Sequence, residues 1–177
     1  MRLFISLNIP QELHDYCDKL QRTFPGIKKT EEYHLTLQFL GDEIGDSLVP
    51  RIIEALQSVA FQPFEITLGN ARRFPNESRP HGVWVDCDGG DALQKLADRI
   101  RTTMSEIGLK PDKPFSAHIT LGRYQNTPPP TFKPRGGRSA SKTETKTFTM
   151  DRFFLMESHL KPTGAEHHII ETFKSTP

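Results

Sequence analysis

Two short stretches of this chain share one pattern. YHLTLQFLG over residues 33–41 and SAHITLGRY over residues 116–124 each place His, an apolar residue, Thr and a second apolar residue in succession. In an extended chain, positions i and i+2 share a face and i+1 and i+3 share the other. Leu35, Leu37, Ile119 and Leu121 therefore turn into a core, while His34 with Thr36 and His118 with Thr120 turn together to the opposite side. Any fold that satisfies both stretches must give each strand one buried face and one open face. The tetrads lie 118 − 34 = 84 residues apart and each follows a helical pattern, so two related halves facing one another are expected.

Chance does not supply the pair. With 7 His and 16 Thr in 177 residues, about 0.6 His-x-Thr pairs are expected, and requiring apolar residues after both leaves about 0.08. Two copies therefore carry far more weight than one.

Periodicity along the rest of the chain alternates between strand and helix. Residues 2–8 (RLFISLN) read as a strand stopped by Pro10. Residues 11–23 place Leu13, Tyr16, Cys17 and Leu20 at helical spacing, and Pro25-Gly26 ends that helix. Residues 46–60 and 91–107 read as helices, the second with Leu93, Leu96, Ala97, Ile100 and Met104 on one face and Gly108 as its stop. Residues 64–68, 83–86, 148–157 and 167–173 read as further strands. Residues 126–146, rich in Pro, Gly, Ser and Thr and carrying Lys133, Arg135, Arg138, Lys142 and Lys146, read as a flexible basic loop. The fold class is α+β, one domain over residues 1–177.

Composition narrows the function. The 23 Lys and Arg nearly cancel the 22 Asp and Glu, which argues against a coat on long nucleic acid. No stretch reaches membrane-spanning length, and the short apolar start before Pro10 is not a secretory signal. Cys17 and Cys87 form no Cys-x-x-Cys pair and read as free thiols. A cytoplasmic protein without a membrane partner, and a monomer, is expected.

Imidazole titrates near neutrality, so of two rings flanking one point one can be neutral while the other is protonated. That suits in-line displacement at phosphorus, with a base on the attacking oxygen and an acid on the leaving one. The Thr36 and Thr120 hydroxyls can donate to the non-bridging oxygens, where charge develops. This chemistry demands no metal and no cofactor, and no Asp, Glu and His cluster stands at ligand spacing.

The paired tetrads, the first continuing as FLG and the second as GR, resemble those of the 2H phosphoesterases, and within them the RNA 2′,3′-cyclic phosphodiesterase or 2′-5′ RNA ligase-like group. The opening MRLFISLNIP, the segment RFPNESRPHGVWVD with Phe74, Pro75 and Trp84, and Glu157-Ser158 before Gly164-Ala165 are also similar. The resemblance implies two lobes related by a pseudo-two-fold axis, each an antiparallel sheet backed by helices, around a central groove. It implies that His34 donates a proton to the departing ribose oxygen and His118 activates water. Thr36, Thr120 and Arg123 would hold the phosphate. The implied substrates are RNA with 2′,3′-cyclic phosphate ends or small cyclic nucleotides, opened to 2′-phosphates. With a 5′-hydroxyl RNA end in place of water, the same site joins ends through a 2′-5′ bond. Ala117 stands where the group commonly has Pro, and Tyr33 where Trp is common.

Other residues admit two readings each. Arg123 is a phosphate clamp or a solvated strand-end cation. Phe4, Tyr33 and Phe74 stack on a nucleobase or pack the core and rim. His81, His159, His167 and His168 have no partner at a telling spacing, and His167-His168 put one ring in and one out along a closing strand. The basic loop guides an RNA end or is simply solvated. Two further functions compete: a phosphodiesterase for another small cyclic phosphate or a 2′-5′ oligonucleotide, and a non-catalytic nucleotide- or RNA-binding module. Binding alone would be better served by Arg or Lys than by two His.

Overall fold

The computed structural model describes residues 1–30, 32–125, 145–162 and 164–176. Among them run nine strands: β1 (Leu3–Asn8), β2 (Ile27–Lys29), β3 (His34–Gly41), β4 (Phe64–Phe74), β5 (Gly82–Asp88), β6 (His118–Tyr124), β7 (Lys146–Met150), β8 (Arg152–Lys161) and β9 (Gly164–Lys174). Three helices accompany them: α1 (His14–Arg22), α2 (Val49–Gln57) and α3 (Gly90–Glu106). The strands form one antiparallel sheet in the order β7-β4-β5-β6-β3-β1-β8-β9, with β2 added on β6. The α+β class is as the sequence predicts.

At the centre of this order β3 and β6 touch through one residue pair, Leu35 opposite Ile119. Past that pair the free edge of β6 passes to β2, where Gly122 lies opposite Lys29. The sheet thus divides into β7-β4-β5-β6 and β3-β1-β8-β9, and a pseudo-two-fold axis through the central pair exchanges β3 with β6, β1 with β5 and β8 with β4. The halves join at their edges and curl toward each other, whereas the sequence suggested halves packed face to face.

The core follows the alternation that the tetrads dictate. Ile119 and Leu121 are fully buried, and Leu35 and Leu37 nearly so. On α3 the five apolar residues read from helical spacing are all buried. The helix at residues 46–60 is shorter than expected: a 3-10 turn (Asp46–Leu48) precedes α2, and Pro50 sits in the first turn, where its missing N–H costs nothing.

Other boundaries also differ from the sequence reading. Residues 148–157 are not one strand. The run divides at Asp151, with β7 pairing to β4 in one half and β8 to β1 and β9 in the other, so the chain changes halves there. Strand β4 runs on to Phe74, past a pairing irregularity between Leu68 and Ala71 that breaks its alternation. Three-residue β2 has too little pattern to read. Of the expected basic loop, residues 126–144 with Lys133, Arg135, Arg138 and Lys142 lie outside the described residues; Lys146 opens β7. Cys17 and Cys87 are free thiols. Among the described residues no helix is long and apolar enough to cross a membrane.

Candidate active site

The open face of the two central strands lines a groove of about 1070 Å³, and His34, Thr36, His118, Thr120 and Arg123 all lie on its wall. The strands flanking them repeat the pseudo-symmetry. On β1, Asn8 stands opposite His34 and Ser6 opposite Thr36. On β5, Asp86 stands opposite His118 and Trp84 opposite Thr120. Among the described residues, six cations (Arg2, Arg72, Arg101, Lys113, Arg123 and Lys161) line the groove against three acids, Glu32, Asp112 and Glu166. A chain of balanced charge therefore presents a locally basic cleft, which favours an anionic guest.

The His118 imidazole is tied to a carbonyl two residues before it. His118 Nδ1 lies 2.8 Å from the Ser116 carbonyl oxygen, which can only accept, so that nitrogen carries the proton. The lone pair of neutral His118 is thereby left on Nε2. The Glu32 backbone, two residues before His34, favours the charged form of that ring. The surroundings of the two rings then diverge. His118 lies flat on Trp84, with ring centroids 3.6 Å apart and planes 14° from parallel, and Trp84 lies flat on Phe74 at 3.5 Å and 12°. His34 has no such stack; Phe4 meets it tilted and His167 edge-on, both at 5.0 Å.

Burial holds the His34 imidazole well below its ordinary value, to about 4, with the nearby His167 and His118 adding repulsion and the Glu32 carbonyl opposing. His118 is also lowered, first by burial, with Lys113 and Arg123 adding repulsion; the hydrogen bond to Ser116 and the Asp86 carboxylate oppose this. Both rings are thus neutral at neutral pH in the empty groove. Between pH 6.5 and about 4 the unfolded chain takes up a proton that folded His34 refuses, so stability falls as pH falls through that window. The contribution is at most roughly 3 kcal/mol. His34→Gln is expected to flatten the decline in Tm between neutral pH and pH 4 relative to the parent chain. Parallel Tm–pH curves for the two proteins would rule this out.

Of the three expected stacking aromatics, Phe4 and Phe74 line the groove. Tyr33 does not reach the groove. It precedes His34, so alternation turns it to the opposite face, where it is buried and its hydroxyl donates to Asp18 Oδ1. Phe4 lines the groove but is buried against His34 and His167. Phe74 is half-buried on the groove wall, one of its faces taken by Trp84. Trp84, read in the sequence only as part of the similar segment, joins the site through its cross-strand place beside Thr120. His167 joins it too. Alternation along β9 indicates that one of His167 and His168 faces inward, but which of them meets the groove depends on where β8 sets its partner. Among the described residues no group of three or more His, Cys, Asp or Glu side chains is gathered as for a metal ion.

The 2′-5′ RNA ligase superfamily model matches residues 9–162. An Archaeoglobus fulgidus protein named RNA 2′,3′-cyclic phosphodiesterase is 29% identical over 98% of this chain and 100% of its own length. A Thermus thermophilus protein of the same name is 30% identical over 98% of this chain and 89% of its own. Among solved structures, Thermus thermophilus TT0787 superposes with a TM-score of 0.79 at 26% identity, covering 98% of this chain and 97% of that one. Escherichia coli LigT in complex with 3′-AMP shares the fold, with a TM-score of 0.76 at 23% identity over 99% of this chain and 98% of its own.

Proposed function

The chain belongs to the 2′-5′ RNA ligase superfamily, and we propose that it hydrolyses RNA 2′,3′-cyclic phosphate ends to 2′-phosphate ends through His34 and His118. The observation that carries this reading is the placement of both imidazoles and both threonines on one groove, about the single Leu35–Ile119 pair. The name shared by the relatives supports the substrate class.

In this reading neutral His118 takes a proton from water through Nε2. The water oxygen bonds to phosphorus as the bond from phosphorus to the 3′ oxygen breaks, and His34 delivers a proton to that oxygen. The product carries a 2′-phosphate and a free 3′-hydroxyl. His34 acquires its proton when the substrate enters, because an anionic phosphate beside a buried imidazole favours the charged form. His118 becomes an imidazolium during the reaction, and a cation over the face of Trp84 is stabilised by the ring's electron density. Thr36 and Thr120 donate to the non-bridging oxygens and Arg123 neutralises their charge. A 5′-hydroxyl in place of water would form a 2′-5′ linkage at the same centre. Phe74 is a groove aromatic with one face available to a base.

The test is product analysis. Incubated in EDTA with RNA bearing a 2′,3′-cyclic phosphate, or with a 2′,3′-cyclic mononucleotide, the protein is expected to yield the 2′-phosphate alone. Loss of turnover on chelation, or a 3′-phosphate product, would overturn this mechanism. Bound but unconverted substrate after long incubation would favour a nucleotide-binding module instead.

A further inference from the structure

His167 lies on β9, where the last hairpin returns beside β1, and its side chain is 12 % exposed against 55 % for His168. Its ring meets His34 edge-on, with centroids 5.0 Å apart and planes at 83°, and meets Phe4 at 5.0 Å and 71°. Phe4 is also 5.0 Å from His34, so the three rings form a closed triangle. Its Nδ1 stands 3.0 Å from Glu32 Oε2, within ion-pair distance, although that buried nitrogen has no well-aligned hydrogen bond. Glu32 therefore acts on two rings at once: its backbone favours the charged form of His34, and its carboxylate stands at ion-pair distance from His167. His118 rests instead on the flat Trp84 stack. Two imidazoles in contact, acted on by the same residue, do not gain protons independently.

Building on the reading of His34 as the proton donor, we propose that His167, clamped by Glu32, is a positioning residue that fixes the plane of the His34 ring and makes protonation of His34 depend on the charge of the Glu32–His167 pair. Burial holds His167 below its ordinary value, with the Glu32 carboxylate opposing and Arg2 and His168 adding repulsion, while His167 and His118 add repulsion at His34. A cationic His167 opposes a second positive charge on His34. Both rings tolerate charge together only when an anion lies between them and the basic wall. Burial keeps the acid unprotonated at neutral pH, and the charge on His167 sets how far the pH must fall before His34 gains its proton.

Ring-proton NMR titrations of the substrate-free protein test this. His167→Phe keeps an aromatic edge against His34 and Phe4 but cannot be charged. The His34 midpoint is expected to rise by about half a pH unit or more. His167→Gln, also uncharged, is the second variant and is expected to move it the same way. Glu32→Gln is expected to lower the midpoint of His167 itself. The His118 midpoint, followed through fluorescence of Trp84, the single tryptophan of the chain, is expected to stay in place. In kinetics, the acidic limb of kcat/KM moves with His34 in both His167 variants. An unchanged His34 midpoint, or equal movement of His34 and His118, would overturn the proposal. The titration requires no substrate. A protein inert toward cyclic phosphates, yet with a shifted His34 midpoint, would refute the proposed activity and leave this coupling standing. Turnover with an unmoved midpoint would do the reverse.

Discussion

His118→Ala is expected to lower kcat/KM on a 2′,3′-cyclic nucleotide by about 10²- to 10⁴-fold, and His34→Ala by a similar factor, each removing one partner in proton transfer. The double variant is expected to lose much less than the product of the two factors, because an acid and a base serving one displacement act as a unit. In the proposed mechanism, what survives reflects phosphate binding by Thr36, Thr120 and Arg123. Full time courses with the purified variants provide the check, with Tm measured alongside. Neither ring is a core side chain: His34 and His118 are both half-buried, so folding is expected to survive both substitutions. Activity within tenfold of the parent in either variant would remove the two-imidazole mechanism.

Gly122→Val is expected to reduce both stability and turnover, although Gly122 carries no chemistry. A Cβ added there would meet the Lys28 carbonyl oxygen at 2.6 Å and the Ile27 Cδ1 at 2.9 Å. The carbonyl belongs to a paired strand and cannot yield without separating β2 from β6. Overpacking of this kind costs about 1–3 kcal/mol. The displacement also reaches Thr120 and Arg123 on the same strand, and a misplacement near 1 Å costs about 10²-fold in rate. Gly45→Ala is the control, since its Cβ meets nothing nearer than Ser47 Oγ at 4.0 Å. Thermal melts and kcat/KM for the two variants separate the cases: equal behaviour would show that the close approach at Gly122 is unimportant. The steric reason for glycine after the second tetrad lies in a strand about a hundred residues earlier.

That last point marks the boundary of what could be read from the chain. The period-2 pattern of each tetrad placed His34, Thr36, His118 and Thr120 on one face and four apolar residues in the core. Such alternation is local, and burial enforces it. Trp84 and His167 enter the site through cross-strand neighbours, Thr120 for one and the β8–β9 hairpin for the other, and such proximity leaves no local trace. The groove's basic lining is equally hidden, because balanced totals over the chain say nothing about which cations converge. Tyr33 shows the converse. An aromatic beside a site residue in sequence lands on the opposite face because successive strand residues point opposite ways. The break at Asp151 has no signature in the sequence because both pieces have strand composition, and only their different pairing partners separate them.

The pairing order has a consequence for biosynthesis. The half that carries His118 draws β4 to β7 from consecutive stretches, so its strands can pair soon after they emerge from the ribosome. The half that carries His34 needs β1 beside β8, joining Leu3 to Glu157 across nearly the whole length of the polypeptide. Ordering so distant a pair is entropically slow. His34 therefore waits on an incomplete platform until the β8–β9 hairpin has been translated, and before that point one wall of the groove stands without the other.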